Sequence, residues 1–306
     1  MVIGVWGLDI IWSLEFGDWN LAVIGMKKRN LESTKVLRKK EFGKLYGIGV
    51  GPGDPKLLTL RAKEVLDQVD VVFCPKGDED GSSWARSIIE ATTSAAKEFV
   101  ELSFPMTRDK SILKTYWEKA AKRIAEEIAK GKRGAFITLG DPFIYSTYIY
   151  LLKTLLQNYP DIEVETIPGI SAFNAAAAKA QVPLVQADET MAILPARKDL
   201  RGLREALGTF DTVVLMKVGS KLDQVMALLG ELDLLKHSVL VSHLGQPGEK
   251  MIHDLSPLKK VEREGYLSVI IVKNPTPHPP SPLRGCVTIQ RNQLVGKGRG
   301  GRAKKI

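Results

Sequence analysis

The stretch Tyr46-Gly-Ile-Gly-Val-Gly-Pro-Gly-Asp-Pro55 constrains this chain more than any other. Gly47, Gly49, Gly51 and Gly53 alternate through the end of a short apolar run, and Pro52 and Pro55 stop any helix there. Four glycines between positions 47 and 53 surrender backbone entropy that a plain strand-to-loop exit would keep. The expected return is a sharp turn whose N–H and C=O groups a ligand approaches closely.

The loop does not read as a phosphate binder. Gly53 is followed by Asp54-Pro55, not by the Lys-Ser/Thr that closes a P-loop. A dinucleotide fingerprint would run Gly49-Val-Gly51-Pro-Gly53-Asp54, with Asp in place of the third glycine. Asp70, at a suitable spacing to hold a ribose, starts the run Asp70–Cys74 where the fingerprint wants an acid at its end. An aspartate beside the turn also repels a pyrophosphate.

Around this loop the text alternates strand and helix. Strands are expected at Lys44–Val50, Asp70–Cys74, Phe99–Phe104, Ala135–Leu139 and Ile162–Ile167, and again at Met191–Leu194, Thr212–Met216, Val239–His243 and Leu267–Val272. Helical spacing covers Leu57–Leu66, Ser83–Thr92, a segment capped by Ser111 and ended by Gly131, a segment from Pro142 to about Gln157, the alanine-rich run after Ser171, and stretches near Leu200–Leu207 and Lys221–Leu229. The fold class is α/β, two α/β domains with a ligand cleft between them, residues 44–160 and 161–273, joined at the Asn158-Tyr-Pro160 break. Residues 1–43 read as an N-terminal extension that need not be native, and 274–306 as a disordered Pro/Gly-rich tail.

The formal charge of +9 suggests nucleic acid until it is located. Residues 1–43 hold seven Lys/Arg against five Asp/Glu, and 274–306 hold seven against none. That leaves 30 basic and 30 acidic residues in 44–273, so the folded part is neutral and no nucleic-acid partner is expected. Cys74 and Cys286 stand far apart, and four scattered His give no metal-ligand spacing. No metal site, export signal or membrane span is expected, which makes the protein cytoplasmic.

Four loops share a grammar, each directly after an expected strand: Gly51-Pro-Gly-Asp54, Gly140-Asp-Pro142, Pro168-Gly-Ile-Ser171 and Met216-Lys-Val-Gly219. Open α/β sheets bind ligands at the carboxyl ends of their strands, so the four are expected to meet at one cleft.

The segments Gly49–Leu60, Asp70-Val-Val-Phe73, Gly140-Asp-Pro-Phe-Ile-Tyr-Ser-Thr147 and Ile167-Pro-Gly-Ile-Ser-Ala172 resemble the tetrapyrrole methylase family over about residues 44–273. The resemblance implies a homodimeric methyltransferase that holds S-adenosylmethionine between two domains, largely by backbone. The matching positions are Pro52, Leu139, Gly140, Asp141, Ile144, Ser171 and Ala172, with Met216 and Lys217 adding backbone contacts. Asp141 equally suits a helix N-cap, Asp54 a turn-forming residue or a substrate contact, and Tyr145 a wall.

Within the family, Pro75 stands where uroporphyrinogen-III methylases carry an Asp, and their downstream Gly-Lys-Arg is missing. The segment from Phe73-Cys-Pro-Lys76 to Arg86, with Glu101–Asp109, is similar to the branch that methylates C20 of precorrin-2 or cobalt-factor II in cobalamin biosynthesis. That resemblance implies a substrate rimmed with carboxylates, for which Lys76 and Arg108 are the expected cationic partners, and cobalt only as part of the substrate. No residue stands out as a general base. Two other classes stay open: a methylase of the same superfamily acting on another tetrapyrrole carbon, RNA or protein, and a non-catalytic nucleotide binder.

Overall fold

The computed structural model describes residues 43–76, 83–93, 97–105, 107, 109–196, 200–258 and 267–275. The N-terminal extension short of Gly43, the tail beyond Pro275 and Arg108 lie outside these residues.

Apolar runs make the centre of the first sheet. Strands β1 (Lys44–Gly49), β2 (Val71–Lys76), β3 (Glu98–Ser103), β4 (Gly134–Thr138) and β5 (Glu163–Ile167) lie in the order β3-β2-β4-β1-β5, all parallel. A parallel sheet is covered on both faces, so neighbouring residues of one strand enter opposite cores. Leu45, Phe73 and Phe136 pack against Ile124 and Ile128 of α3 (Lys110–Ile128) and Leu151 and Leu155 of α4 (Tyr148–Asn158). Ile48, Val72 and Ile137 pack on the other side, against α1 (Leu60–Gln68) and α2 (Trp84–Glu90).

The second sheet is mixed. Strands β6 (Met191–Pro195), β7 (Thr212–Met216), β8 (Ser238–Ser242), β9 (Lys250–His253) and β10 (Ser268–Lys273) take the order β6-β7-β10-β8-β9, with β6 and β7 parallel and the other pairs antiparallel. Helices α6 (Arg201–Thr209) and α7 (Leu222–Glu231) cover one face and α5 (Ala172–Ala180) the other. The alanines of α5 bring it close, Ala176 and Ala177 packing in one cluster with Val214, Val241 and Val269.

Several expectations need correction. β5 hydrogen-bonds to β1, so the first sheet runs to Ile167, and the change of sheet falls between there and Met191. The break at Asn158-Tyr-Pro160 only ends α4, where the Tyr159 N–H donates to the Leu155 carbonyl; Asn and Pro stop a helix whether or not a sheet ends with it. β2 continues through Pro75, because after Phe73 it has parted from β4 and pairs with β3 alone. Asp109 caps α3, its Oδ1 accepting the N–H groups of Ser111 (2.8 Å) and Ile112 (3.3 Å). β9 was not expected, being a short, mostly exposed edge strand with weak alternation.

At the foot of the first sheet, Glu127 is buried on α3 and meets Arg123, Lys130 (2.8 Å) and Lys132 (2.9 Å). The ammonium groups of Lys130 and then Lys132 hold its carboxyl down at about 2, against an ordinary 4.5. The stabilisation is therefore complete above about pH 4.5 and is lost as the pH falls through about 2. Because the cationic partners reach solvent, the expected loss in Glu127→Gln at pH 7 is only about 1–2 kcal/mol. Urea melts at several pH values should show that difference shrinking between pH 4.5 and 2.

Candidate active site

The strand order creates the site. From β1 the chain leaves through α1 toward β2, and from β4 it leaves through α4 toward β5, in the opposite direction. The crevice between the carboxyl ends of β1 and β4 is therefore the switch point of the sheet, where ligands bind in such folds. Gly51 and Gly140 meet there: the Gly140 N–H donates to the Gly51 carbonyl at 2.7 Å, and the Gly51 N–H returns a bond of 3.3 Å. Both have positive φ, 80° and 71°, which an L side chain rarely adopts.

The other glycines of the run serve a different end from the expected one. A β-carbon on Gly49 would stand 2.6 Å from the Gly140 oxygen and 2.7 Å from the Gly169 nitrogen. On Gly47 it would enter the ring of Tyr148, which is buried and shares a 2.6 Å hydroxyl hydrogen bond with Thr166. On Gly53 it would lie 2.1 Å from the Leu244 carbonyl oxygen, beyond β8 in the second sheet. These glycines let the chain approach itself. Of the run, Pro52 is the residue that lines the cavity.

That cavity, of about 220 Å³, gathers the four loops. Pro52, Leu139, Gly140, Asp141, Ile144, Ser171, Ala172, Met216 and Lys217 all line it. Val241, Leu244, Leu267 and Val269 complete it from β8, β10 and their loops. Sequence missed this last wall because apolar strand residues carry no motif. Leu244-Gly245, a glycine turn just beyond an expected strand, was the available signal.

Asp141 ties two of the loops together. Its Oδ1 accepts the Phe143 N–H at 2.9 Å and its Oδ2 accepts the Gly169 N–H at 3.1 Å. It is not the cap of α4, which begins only at Tyr148 after a turn that Ser146 and Thr138 pin from beneath through a buried 2.8 Å hydroxyl pair. Two further lining residues have left-handed backbone without being glycine: Tyr145 (φ 50°) and Lys217 (φ 59°). Such conformations persist only where the surroundings over-determine them.

Of the polar residues expected at the substrate, Asp54 and Lys76 lie outside the lining of this cavity. Asp54 does not line the cavity; its Oδ1 accepts the Lys56 N–H at 2.9 Å and caps the 3₁₀ turn Pro55–Leu57. Lys76, at the end of β2, pairs with Glu101 at 3.1 Å, and Glu101 also faces Arg86 at 3.6 Å. Cys74 is buried, and burial pushes its thiol up to about 12, so it is no nucleophile. No helix among the described residues is long and apolar enough to cross a membrane, and no cluster of His, Cys, Asp and Glu among them could hold a metal.

The lining is suited to binding. Its ionisable side chains are those of Asp141, Tyr145 and Lys217, and each holds backbone of another loop or strand. Apolar side chains and the backbone of tight turns make up most of the rest. That fits an apolar-bodied ligand with hydrogen-bonding ends, oriented by the walls.

Comparison with known proteins gives the same region a family. Residues 44–259 match the model of the Tetrapyrrole (Corrin/Porphyrin) Methylases. A Methanocaldococcus jannaschii protein named "Probable cobalt-precorrin-2 C(20)-methyltransferase" is 38% identical over 75% of this chain and 96% of its own length. The cobalt-precorrin-2 C(20)-methyltransferase of Salmonella typhimurium is 33% identical with the same coverage. Among solved structures, a cobalt precorrin-4 methyltransferase superposes with a TM-score of 0.56 at 23% identity, over 75% of this chain and 94% of that one. A Thermus thermophilus uroporphyrin-III C-methyltransferase complexed with S-adenosyl homocysteine superposes with a TM-score of 0.53 at 20% identity, over 76% and 97%. These two likenesses speak for the fold.

Proposed function

The chain belongs to the tetrapyrrole (corrin/porphyrin) methylases, and from that premise we propose that it transfers a methyl group from S-adenosylmethionine to C20 of precorrin-2 or its cobalt-containing form, in cobalamin biosynthesis. The relatives named for C20 methylation, 33–38% identical over three quarters of the chain, support the position of transfer. The observation that carries the reading is the cavity at the switch point, where the four loops converge and the ionisable lining groups hold its walls.

The lining fits the methyl donor: apolar residues such as Ile144, Ala172 and Val241 suit its adenosyl body, and backbone at Gly140, Ser171 and Met216 suits its polar ends. When bound, S-adenosylmethionine supplies a methyl group activated by a sulfonium. Pro52, Leu139, Gly140, Asp141, Ile144, Ser171, Ala172, Met216 and Lys217 are the residues proposed to hold and orient it. The walls would fix the direction of approach, and orientation of this kind is worth roughly 7–11 kcal/mol of barrier. The macrocycle is proposed to lie beyond the ends of β2 and β3, with Lys76 and Arg108 toward its carboxylates. We also propose a cytoplasmic homodimer, which light scattering would test.

Incubation with S-adenosylmethionine and either precorrin-2 or cobalt-factor II should yield a singly methylated macrocycle by mass spectrometry, faster for the true substrate. Absence of transfer to both would sink the reading. Methylation at another carbon, located by NMR, would move the protein to a different branch of the family.

A further inference from the structure

The two sheets face each other across the cavity, and they are joined differently on its two sides. On one side backbone lies against backbone. A β-carbon on Gly53 would meet the Leu244 oxygen at 2.1 Å, and one on Gly245 the Asp54 nitrogen at 2.2 Å. The Gln246 side chain lies beside this contact, its Nε2 donating to the Pro52 carbonyl at 3.5 Å, and the seam cannot open without also separating main chains in van der Waals contact.

On the other side Ile144 packs against the apolar cluster of the second sheet, and beside it Tyr145 adds polar bonds. Its hydroxyl donates to the carbonyl of Ile193 in β6 at 2.9 Å. Its own carbonyl accepts from Lys217 Nζ, just past β7, at 3.1 Å. Tyr145 belongs to the loop after β4 in the first sheet, so both bonds run from one sheet to the other. Tyr145 is 39% exposed and has the left-handed φ already described, as has Lys217. These two solvent-accessible hydrogen bonds are among the interactions that brace two unfavourable backbone conformations at the wall of the cavity. Bonds of this kind are individually weak, about 0.5–1.5 kcal/mol, and break more readily than a seam of closely packed main chain parts.

We infer that Tyr145 is a positioning residue: through Ile193 and Lys217 it clasps the second sheet to the first, and so sets how long the methyl donor and its demethylated product stay in the cavity. The inference rests on the reading of that cavity as the donor site. The clasp adds nothing to the chemistry of transfer. It acts on residence, because a ligand walled by both sheets leaves when they part, and they part more readily where main chains do not lie directly against each other.

Tyr145→Phe keeps the ring against the cavity and removes the one O–H. Stopped-flow displacement of S-adenosylhomocysteine should show dissociation roughly three- to tenfold faster than from the unaltered chain, the equivalent of one such bond. The thermal midpoint without ligand should be unchanged, since the removed bond lies at the surface. Should that midpoint fall, Lys217→Met tests the same clasp from its other bond, and faster dissociation from it supports the inference equally. An unchanged dissociation rate in both variants, with normal binding by the unaltered chain, would overturn the clasp and leave the donor site standing. Failure of the unaltered chain to bind S-adenosylhomocysteine would overturn both.

Discussion

Replacing Gly169 by alanine is expected to lower the thermal midpoint by about 10 °C and to abolish measurable donor binding at ordinary concentrations. A β-carbon there would lie 2.2 Å from the Gly140 oxygen, 2.7 Å from the Gly49 carbonyl carbon and 2.8 Å from the Gly49 α-carbon. All three are main-chain atoms, so no side chain can swing aside. Relief requires the loops after β1, β4 and β5 to separate, and these loops carry Pro52, Gly140, Asp141 and Ser171 into the cavity. Overpacking of this sort costs about 1–3 kcal/mol where side chains adjust, and the rigid backbone here puts the expectation at the upper end. Each kcal/mol shifts the midpoint of a chain this size by roughly 2–4 °C.

Gly202→Ala supplies the contrast. Gly202 lies in α6 with open space where its β-carbon would be. Alanine should there raise stability by up to about 1 kcal/mol through helix propensity alone. Differential scanning calorimetry of the two variants, with titration of S-adenosylhomocysteine, checks both. A Gly169→Ala protein that melts and binds like the unaltered chain would show that the three-loop contact is not what shapes the cavity.

Asp141→Ala should weaken donor binding about thirtyfold. Its carboxylate is the acceptor for the Phe143 and Gly169 N–H groups, and alanine leaves both donors without it at the cavity wall. An orphaned donor costs about 1–3 kcal/mol when buried, less where water reaches it, and about 2 kcal/mol in total corresponds to the stated factor. Asp141→Asn keeps one oxygen and should lose about half as much free energy, because its amide cannot accept the second N–H. Isothermal titration with S-adenosylhomocysteine distinguishes this graded result from the alternative. If Asp141 met the ligand by charge alone, Asn and Ala would weaken binding equally.

Much of the site was legible before the structure. The central strands of both sheets show apolar runs, and Thr212–Met216 was delimited from such a run alone. The four loops announced themselves because glycine, proline and aspartate at strand ends have few other uses, and nine expected residues share one cavity. The joint near Pro160 misled because an Asn/Pro break reports only that a helix stops. For Asp54 the sequence left two uses open, since a carboxylate in a loop reads alike whether it faces a ligand or its own turn, and here it accepts the Lys56 N–H.

What sequence by itself determined was local: an α/β chain, a glycine loop unsuited to polyphosphate, and the turns where a ligand would meet backbone. These follow from φ restrictions, hydrogen-bonding groups and apolar periodicity, all of which act within a few residues. What only the tertiary structure decided was the use of each glycine. Gly47 makes room for Tyr148, Gly49 for Gly169 and Gly53 for Leu244, the last partner 191 positions along the chain. A missing side chain shows that something comes close. Which atoms come close depends on strand order and on the packing of one sheet against the other, and no spacing in the sequence encodes those distances.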